Sequence, residues 1–304
     1  GSTIIIGDAG QNVTTGNGAD IIDVGTSTTV NGTYTTTSTD TIVLVEGADI
    51  TSIKADGNGT GGAFTANNLA LIPAMGGTGA SVTMTAAQNN SFTSATASGT
   101  TDQISISDAD NVTGLAGVED YVLADGSQTF TLGAEGQNVT TDGSGGGLIT
   151  IDTGTLTAVS GTFADGGTDT IALNVETTAN ISSAVTTDVD TIDLVSSVDA
   201  TMTISQHNKL DTVAGGNTVT LSDAGTVTGD VDVDSYVLAD GGGSTIIIGD
   251  AGQNVTTGNG ADIIDVGTST TVNGTYTTTS TDTIKLSGGA DITSIVDSVN
   301  GAGG

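Results

Sequence analysis

Residues 1–42 (GSTIIIGDAGQNVTTGNGADIIDVGTSTTVNGTYTTTSTDTI) recur without a change at 243–284, an internal repeat with a period of 242 residues. A chain that restates its own opening is a stretch of a tandem array, and such arrays build solenoids, filaments, surface layers or long adhesins. Beyond Ile42 and Ile284 the copies diverge (VLVE against KLSG), yet GADITSI returns in register at 47–53 and 289–295.

The 242-residue unit is itself two related halves. SDADNVTGLAGVEDYVLADG (107–126) matches SDAGTVTGDVDVDSYVLADG (222–241), and VTMTAAQNNSF (82–92) matches ATMTISQHNKL (200–210). GQNVTT opens at 10, 136 and 252. Three segments follow: a module over 1–126 with an irregular excursion near 55–100, a second module over 127–242, and the start of the first module again over 243–304.

Inside each module an Asp precedes a short alternating apolar run: Asp40 before Ile42 and Leu44, Asp102 before Ile104 and Ile106, Asp169 before Ile171 and Leu173, Asp190 before Ile192 and Leu194. Asp169, Asp190 and Asp211 are 21 residues apart, and Asp20 and Asp40 are 20 apart. Alternation puts one apolar face inward, and the Gly, Asp, Asn and Ser between the runs make corners. The expectation is an all-β, right-handed parallel β-solenoid, β-helix or β-roll in type, with coils of about 20–21 residues. Tandem β-sandwich domains are the alternative, since they share short strands and frequent turns. With no Trp, four Phe and four Tyr, the chain has few large anchors of the kind a sandwich buries. Stacked rungs of Ile, Val, Leu and Thr need none.

Three basic residues against 35 acidic ones leave a net charge of −32, which repels nucleic acid and anionic lipid and attracts cations. The acid is almost all Asp, with Glu only at 46, 119, 135 and 176. A short carboxylate suits turns and calcium sites. The absence of Cys removes disulfides, thiolate catalysis and zinc fingers. No apolar run approaches the ~20 residues of a membrane helix, and the first residues lack the charged-then-apolar pattern of a signal peptide.

GDAGQNVTTGNGADIIDVG, at 7–25 and 249–267, resembles the Gly- and Asp-rich nonapeptides of the RTX family of type I secreted bacterial proteins. In that family the glycines allow tight turns and each Asp ligates calcium between half-turns of a parallel β-roll. The resemblance implies calcium ligation at Asp8, Gly10, Asn12, Gly16, Gly18, Asp20, Asp23 and Asp40, and at Asp250, Gly252, Asn254, Gly258, Gly260, Asp262, Asp265 and Asp282. Asn12 stands where the family has Asp, and the middle copy at 133–152 has no clear counterpart of Asp20. The competing reading makes these residues rung corners whose carboxylates bond backbone N–H groups. TMTAAQNNSF, DQISISDADNVTGLAGVEDYVLADG and DTIALN resemble modules of bacterial beta-strand-repeat proteins, secreted S-layer-like or adhesin-like surface proteins. That resemblance implies secretion and self-association.

His207, the only His, reads as a surface polar residue; its counterpart in the other half is Asn89. Asp230, Asp232 and Asp234 alternate, which puts three carboxylates on one strand face. The Thr-x-Thr pairs read as outward strand residues. Together these readings predict a non-catalytic, extracellular structural protein that assembles with itself into a surface layer or filament, stabilised by calcium. Its partners are further copies of itself, end to end through terminal coils, and a cell-surface glycan. An adhesin stalk is the second reading and a β-helical polysaccharide-active enzyme the third.

Overall fold

The computed structural model describes residues 1–25, 29–55, 61–143, 145–195, 197–267, 272–279, 281–288 and 296–297. The second GADITSI, at 289–295, lies outside the described residues, as do 56–60 of the expected excursion. The chain divides into two compact units: 1–152 with 161–172 and 185–189, and 153–160 with 173–184 and 190–304.

Both units are parallel β-solenoid, in which successive strands alternate between two sheets. In the first unit, Thr3–Ile5, Ile21–Asp23, Thr41–Val45, Asn68–Ile72 and Ser94–Ala97 form one five-stranded sheet. Val13–Thr14, Thr29–Thr35, Asp49–Ala55, Ser81–Met84, Gln103–Ile106, Asp120–Leu123, Asn138–Thr141 and Phe163–Ala164 form an eight-stranded sheet. A further ladder joins Val112–Thr113, Gln128–Thr131 and Leu148–Asp152. The second unit repeats the scheme, with a seven-stranded sheet from Ala179–Asn180 to Val296–Asp297 and a four-stranded sheet from Thr226–Thr228 to Thr283–Lys285. Parallel pairing removes the sandwich alternative, because hairpin-linked antiparallel strands are what a sandwich is made of.

Register shows why the Ile, Val and Leu runs have their spacing. Thr3 pairs with Ile21, Ile21 with Thr41 and Thr41 with Asn68, so Ile22, Ile42 and Leu69 stack as a fully buried ladder. In the eight-stranded sheet Val82, Ile104, Tyr121, Val139 and Phe163 do the same. Burying each such side chain contributes about 1.5–3 kcal/mol. All four tyrosines and all four phenylalanines are buried. Six of them are strand rungs, while Phe64 and Phe92 lie outside the strands and pack on each other with ring centroids 5.7 Å apart; burial raises the hydroxyl pKa of Tyr34 and Tyr276 to about 12.

Coils are less uniform than 20–21 residues. Gln103 pairs with Asp120, a step of 17, whereas Thr41 to Asn68 is 27 and Asp49 to Thr83 is 34. The long steps coincide with the expected excursion. Within it, Asn68–Ile72, Ser81–Met84 and Ser94–Ala97 still pair in the solenoid, and Phe64 and Ala66, in the connection before Asn68, are buried. Pro73 ends the strand Asn68–Ile72 and Met75 beyond it is fully exposed, since proline cannot donate to a ladder.

Two short helices sit at coil corners, Ala86–Ser91 and Ile204–His207. Each begins with a capping box: the hydroxyl of Thr85 or Thr203 accepts from the N–H of Gln88 or Gln206, whose side chain accepts in return.

Candidate functional site

The chemistry-bearing residues converge on the seams between neighbouring coils, where three kinds of clip recur. The first is the Asp that precedes a strand. Its Oδ1 accepts a backbone N–H from the coil before: Asp20 from Ser2 (2.6 Å), Asp40 from Asp20 (2.9 Å), Asp102 from Ala80 (2.7 Å), Asp169 from Gly147 (2.7 Å), Asp262 from Ser244 (2.7 Å) and Asp282 from Asp262 (2.9 Å). Five of these carboxylates are buried and Asp282 is half-buried. Hydrogen bonds to a charged acceptor are stronger than those between neutral groups. At Asp40, burial pushes the pKa up, but the Thr15 hydroxyl and the N–H groups of Thr37 and Asp20 outweigh it and hold the carboxyl below its usual range. At Asp282 burial is likewise outweighed by Thr257, Asp262 and Thr279.

The second clip is a glutamine. In each GQNVTT the side-chain oxygen accepts from its own coil, and at Gln137 and Gln253 the amide nitrogen donates backward. Gln137 Oε1 accepts from Gly133 and Ala134, and its Nε2 donates to the carbonyls of Leu115 and Val118, both at 3.0 Å. Gln253 accepts from Gly249 (2.8 Å) and Asp250 (3.2 Å) and donates to the carbonyls of Asp230 and Val233. Gln88 and Gln206 act alike from their helices, on Ile50 and Ile53 and on Ile181 and Ala184. In the sequence these glutamines stand inside repeated motifs without showing a role; the signal was their return at the same motif position.

The third clip runs forward. Asn12, Asn111, Asn138 and Asn254 accept at Oδ1 from the N–H groups of Thr33, Thr129, Thr162 and Thr275 in the following coil, each at 2.8 Å. Asp193 and Asp199 do the same for Thr212 and Thr218 at 2.9 Å.

The residues expected to ligate calcium are distributed among these corners. Asp20 and Asp40 share one corner, as do Asp262 and Asp282. Asp23 closes a local turn on the N–H of Gly25 (2.8 Å). Asp265 does so on Gly267 and also holds Lys285 at 2.7 Å, which lowers its pKa. Asp8 is exposed, and Asp250 accepts from Gly252. Gly10 (φ +85°) donates to the carbonyl of Asn31, while the carbonyls of Gly18 and Gly260 accept from the hydroxyls of Thr39 and Thr281. Gly16 is exposed, whereas Gly258 is buried.

A calcium cage needs about 6–8 oxygens free to face the ion. At the Asp262 corner one buried oxygen, Asp262 Oδ2, has no hydrogen-bond partner, but Asp262 Oδ1 and both oxygens of Asp282 already accept N–H or hydroxyl donors. At this corner three of the four carboxylate oxygens therefore serve as hydrogen-bond acceptors and one does not. Among the described residues no group of three or more His, Asp or Glu is arranged to hold a metal.

Two expectations are corrected. His207 is buried, with Nε2 2.8 Å from the hydroxyl of Tyr236, which also accepts from the N–H of Asp230 at 2.7 Å. The partner hydroxyl makes a polar residue suitable for this buried position: Asn89 occupies the same place in the first unit beside Tyr121, whose hydroxyl accepts from the N–H of Leu115. Burial lowers the pKa of His207. The run Asp230–Asp234 is a turn and not a strand face, with Val233 buried inside it. The carboxylates of Asp230 and Asp234 accept from Asp232 and Gly216, and the carbonyls of Asp230 and Val233 receive Gln253.

No protein-family model matches the chain, and neither curated proteins nor solved structures provide a match. Within the described residues no helix is long and apolar enough to cross a membrane.

Proposed function

We propose that this chain is an extracellular structural protein whose coils self-assemble into a surface layer or filament. One observation carries the reading. The same sequence, at 1–42 and 243–284, pairs in identical register in both copies: Thr3 with Ile21 and Thr245 with Ile263, Val13 with Tyr34 and Val255 with Tyr276. A segment that builds the same ladder wherever it recurs is a stackable part. Such parts suit a scaffold, because each coil needs only its neighbours.

Calcium enters this reading through charge. At −32 the chain repels itself, and divalent cations held by exposed carboxylates such as Asp8 and Asp232 would ease both compaction and association. The S-layer-like and RTX-like resemblances fit this role. A monomeric adhesin stalk is the second reading, favoured by the same ladder, which gives reach without assembly.

Electron microscopy and light scattering of purified protein, with calcium and with EDTA, test the proposal. Ordered polymers that disperse and a melting temperature that drops in EDTA are expected. Polymers and melts indifferent to EDTA would remove calcium, and a persistent monomer would favour the stalk.

A further inference from the structure

The two units build one seam twice, with a single change of chemistry. In the first unit the hydroxyl of Tyr121 accepts from the N–H of Leu115 (2.7 Å) and donates to Asn89 Oδ1 (3.5 Å), and Gln137 Nε2 donates to the carbonyls of Leu115 and Val118. In the second the hydroxyl of Tyr236 accepts from the N–H of Asp230 (2.7 Å) and lies 2.8 Å from His207 Nε2, and Gln253 Nε2 donates to the carbonyls of Asp230 and Val233. Asn89 is fully buried, His207 is 5% exposed, and both tyrosines are buried. Each seam thus joins a corner helix, a tyrosyl hydroxyl, a turn and the glutamine seated on that turn in one run of hydrogen bonds. Asn89 carries an amide at the head of this run, and His207 a group that titrates.

Proton supply sets the direction of the second run. A phenol hydroxyl has one proton to give. With the N–H of Asp230 on the Tyr236 oxygen, that proton fills the contact with His207, so Nε2 is the acceptor and the proton of the neutral ring sits on Nδ1. Imidazolium is a donor at both nitrogens. It would bring a second N–H to the Tyr236 oxygen and leave the phenolic proton without an acceptor in a buried place, which is costly. The charged groups around the ring come from three elements. The following coil brings Asp230, whose Oδ1 accepts from the N–H of Asp232 (3.0 Å) in its own turn; the corner at 222–225 brings Asp223, which accepts from the N–H of Ile204 (2.7 Å); and its own coil continues with Lys209 and Asp211. The turn at 181–184, which Gln206 reaches in the preceding coil, has the sequence ISSA and no charge. Burial outweighs the two neighbours that favour a charged ring, Asn208 and Asp230, and holds the pKa below its ordinary value.

We propose that His207 makes the second seam an acid-operated latch: protonation withdraws Nε2 as an acceptor, releases the Tyr236 hydroxyl and loosens the turn at 230–233 on which Gln253 is seated, while the Asn89 seam of the first unit stays closed. A His that binds its proton more weakly in the closed seam than in the open one favours closure fully above about pH 6.5, and that preference is lost as pH falls through the lower, closed-state value. The Asn89 amide does not titrate in this range. Acid therefore opens one coil locally, ahead of any general unfolding.

His207 is the only His in the chain, so nitrogen NMR of the imidazole reports on this seam alone. At about pH 8, where the ring is neutral, the Nδ1–H tautomer is expected; the Nε2–H tautomer would overturn the proposal. Amide exchange is the second readout. The N–H groups of Asp230 and Leu115 each donate to a tyrosyl hydroxyl at 2.7 Å, so the ratio of their exchange rates in one sample cancels the pH dependence that exchange chemistry imposes on both. One proton taken up on opening allows up to tenfold per pH unit, and the ratio of Asp230 to Leu115 should rise about tenfold between about pH 7.5 and 5.5. His207→Asn, which copies the chemistry of the first seam, should hold that ratio level. A level ratio in the unaltered protein, or a rise that survives His207→Asn, would overturn the latch. The tautomer and the ratio are both read on the unaltered protein, so the test stands even if His207→Asn does not fold.

Discussion

Truncating the same glutamine in the two copies should have unequal cost. Gln253→Ala removes a side chain 2% exposed that joins two N–H groups of its own coil to two carbonyls of the preceding one. A buried polar group left without a partner costs about 1–3 kcal/mol, and with water entering part of the space the four together come to about 3 kcal/mol. Gln11→Ala removes the same two local bonds, at 2.8 and 3.3 Å, from an exposed corner where water replaces them, for about 0.5 kcal/mol. The expected difference is therefore about 2–3 kcal/mol. Repeat arrays can open segment by segment, so a single melting curve is the wrong readout. Native-state hydrogen exchange resolves the segments: amides of Asn254–Thr256 should lose protection in Gln253→Ala, and those of Val13–Thr14 should change little in Gln11→Ala. Gln137→Ala should resemble Gln253→Ala, because it clips Leu115 and Val118. Costs that agree within about 0.5 kcal/mol at 11 and 253 would refute the claim that coil-to-coil bonding, and not local turn chemistry, is what the motif supplies.

Acid titration should expose the Asp clips. Because the Asp40 and Asp282 carboxyls are held below their ordinary value, their contribution is complete above the unfolded pKa of about 3.9 and drains as pH falls through the folded value. Asp40→Asn/Asp282→Asn should be less stable near neutrality and lose less between about pH 4 and 2 by urea titration; parallel profiles would contradict the assignment. His207 works at higher pH. Its pKa is lowered by burial, so stability present above about pH 6.5 falls as acidification protonates the unfolded chain first. His207→Asn, which borrows the residue at the equivalent Asn89, should flatten the profile between about pH 7 and 5. An unchanged slope would show that His207 does not titrate with folding.

Much of the fold was legible in the sequence, because a solenoid is nearly one-dimensional. Ile42, Ile104, Ile171 and Ile192 recur at coil spacing after an Asp, and stacking identical rungs is the way such short strands hide their apolar faces. Local pattern therefore determined the parallel ladder and the placing of Gly and Asp at corners. What each corner residue does was decided only in three dimensions. Asp20 and Asp262 read equally as calcium ligands or as acceptors of backbone N–H, and the N–H groups they accept belong to Ser2 and Ser244, each 18 residues away and invisible to a local motif. His207 read as surface because its partner Tyr236 is 29 residues off. Asp230–Asp234 read as strand because alternation alone cannot tell a strand from a turn with one buried valine. The unbroken repeat carried the sharpest division. Sequence determined that the two copies make the same coils, since they are the same residues. Only the tertiary structure decided that Gln253 of the second copy reaches the carbonyls of Asp230 and Val233, because burial and hydrogen bonding at a seam belong to the neighbouring coil as much as to the segment itself.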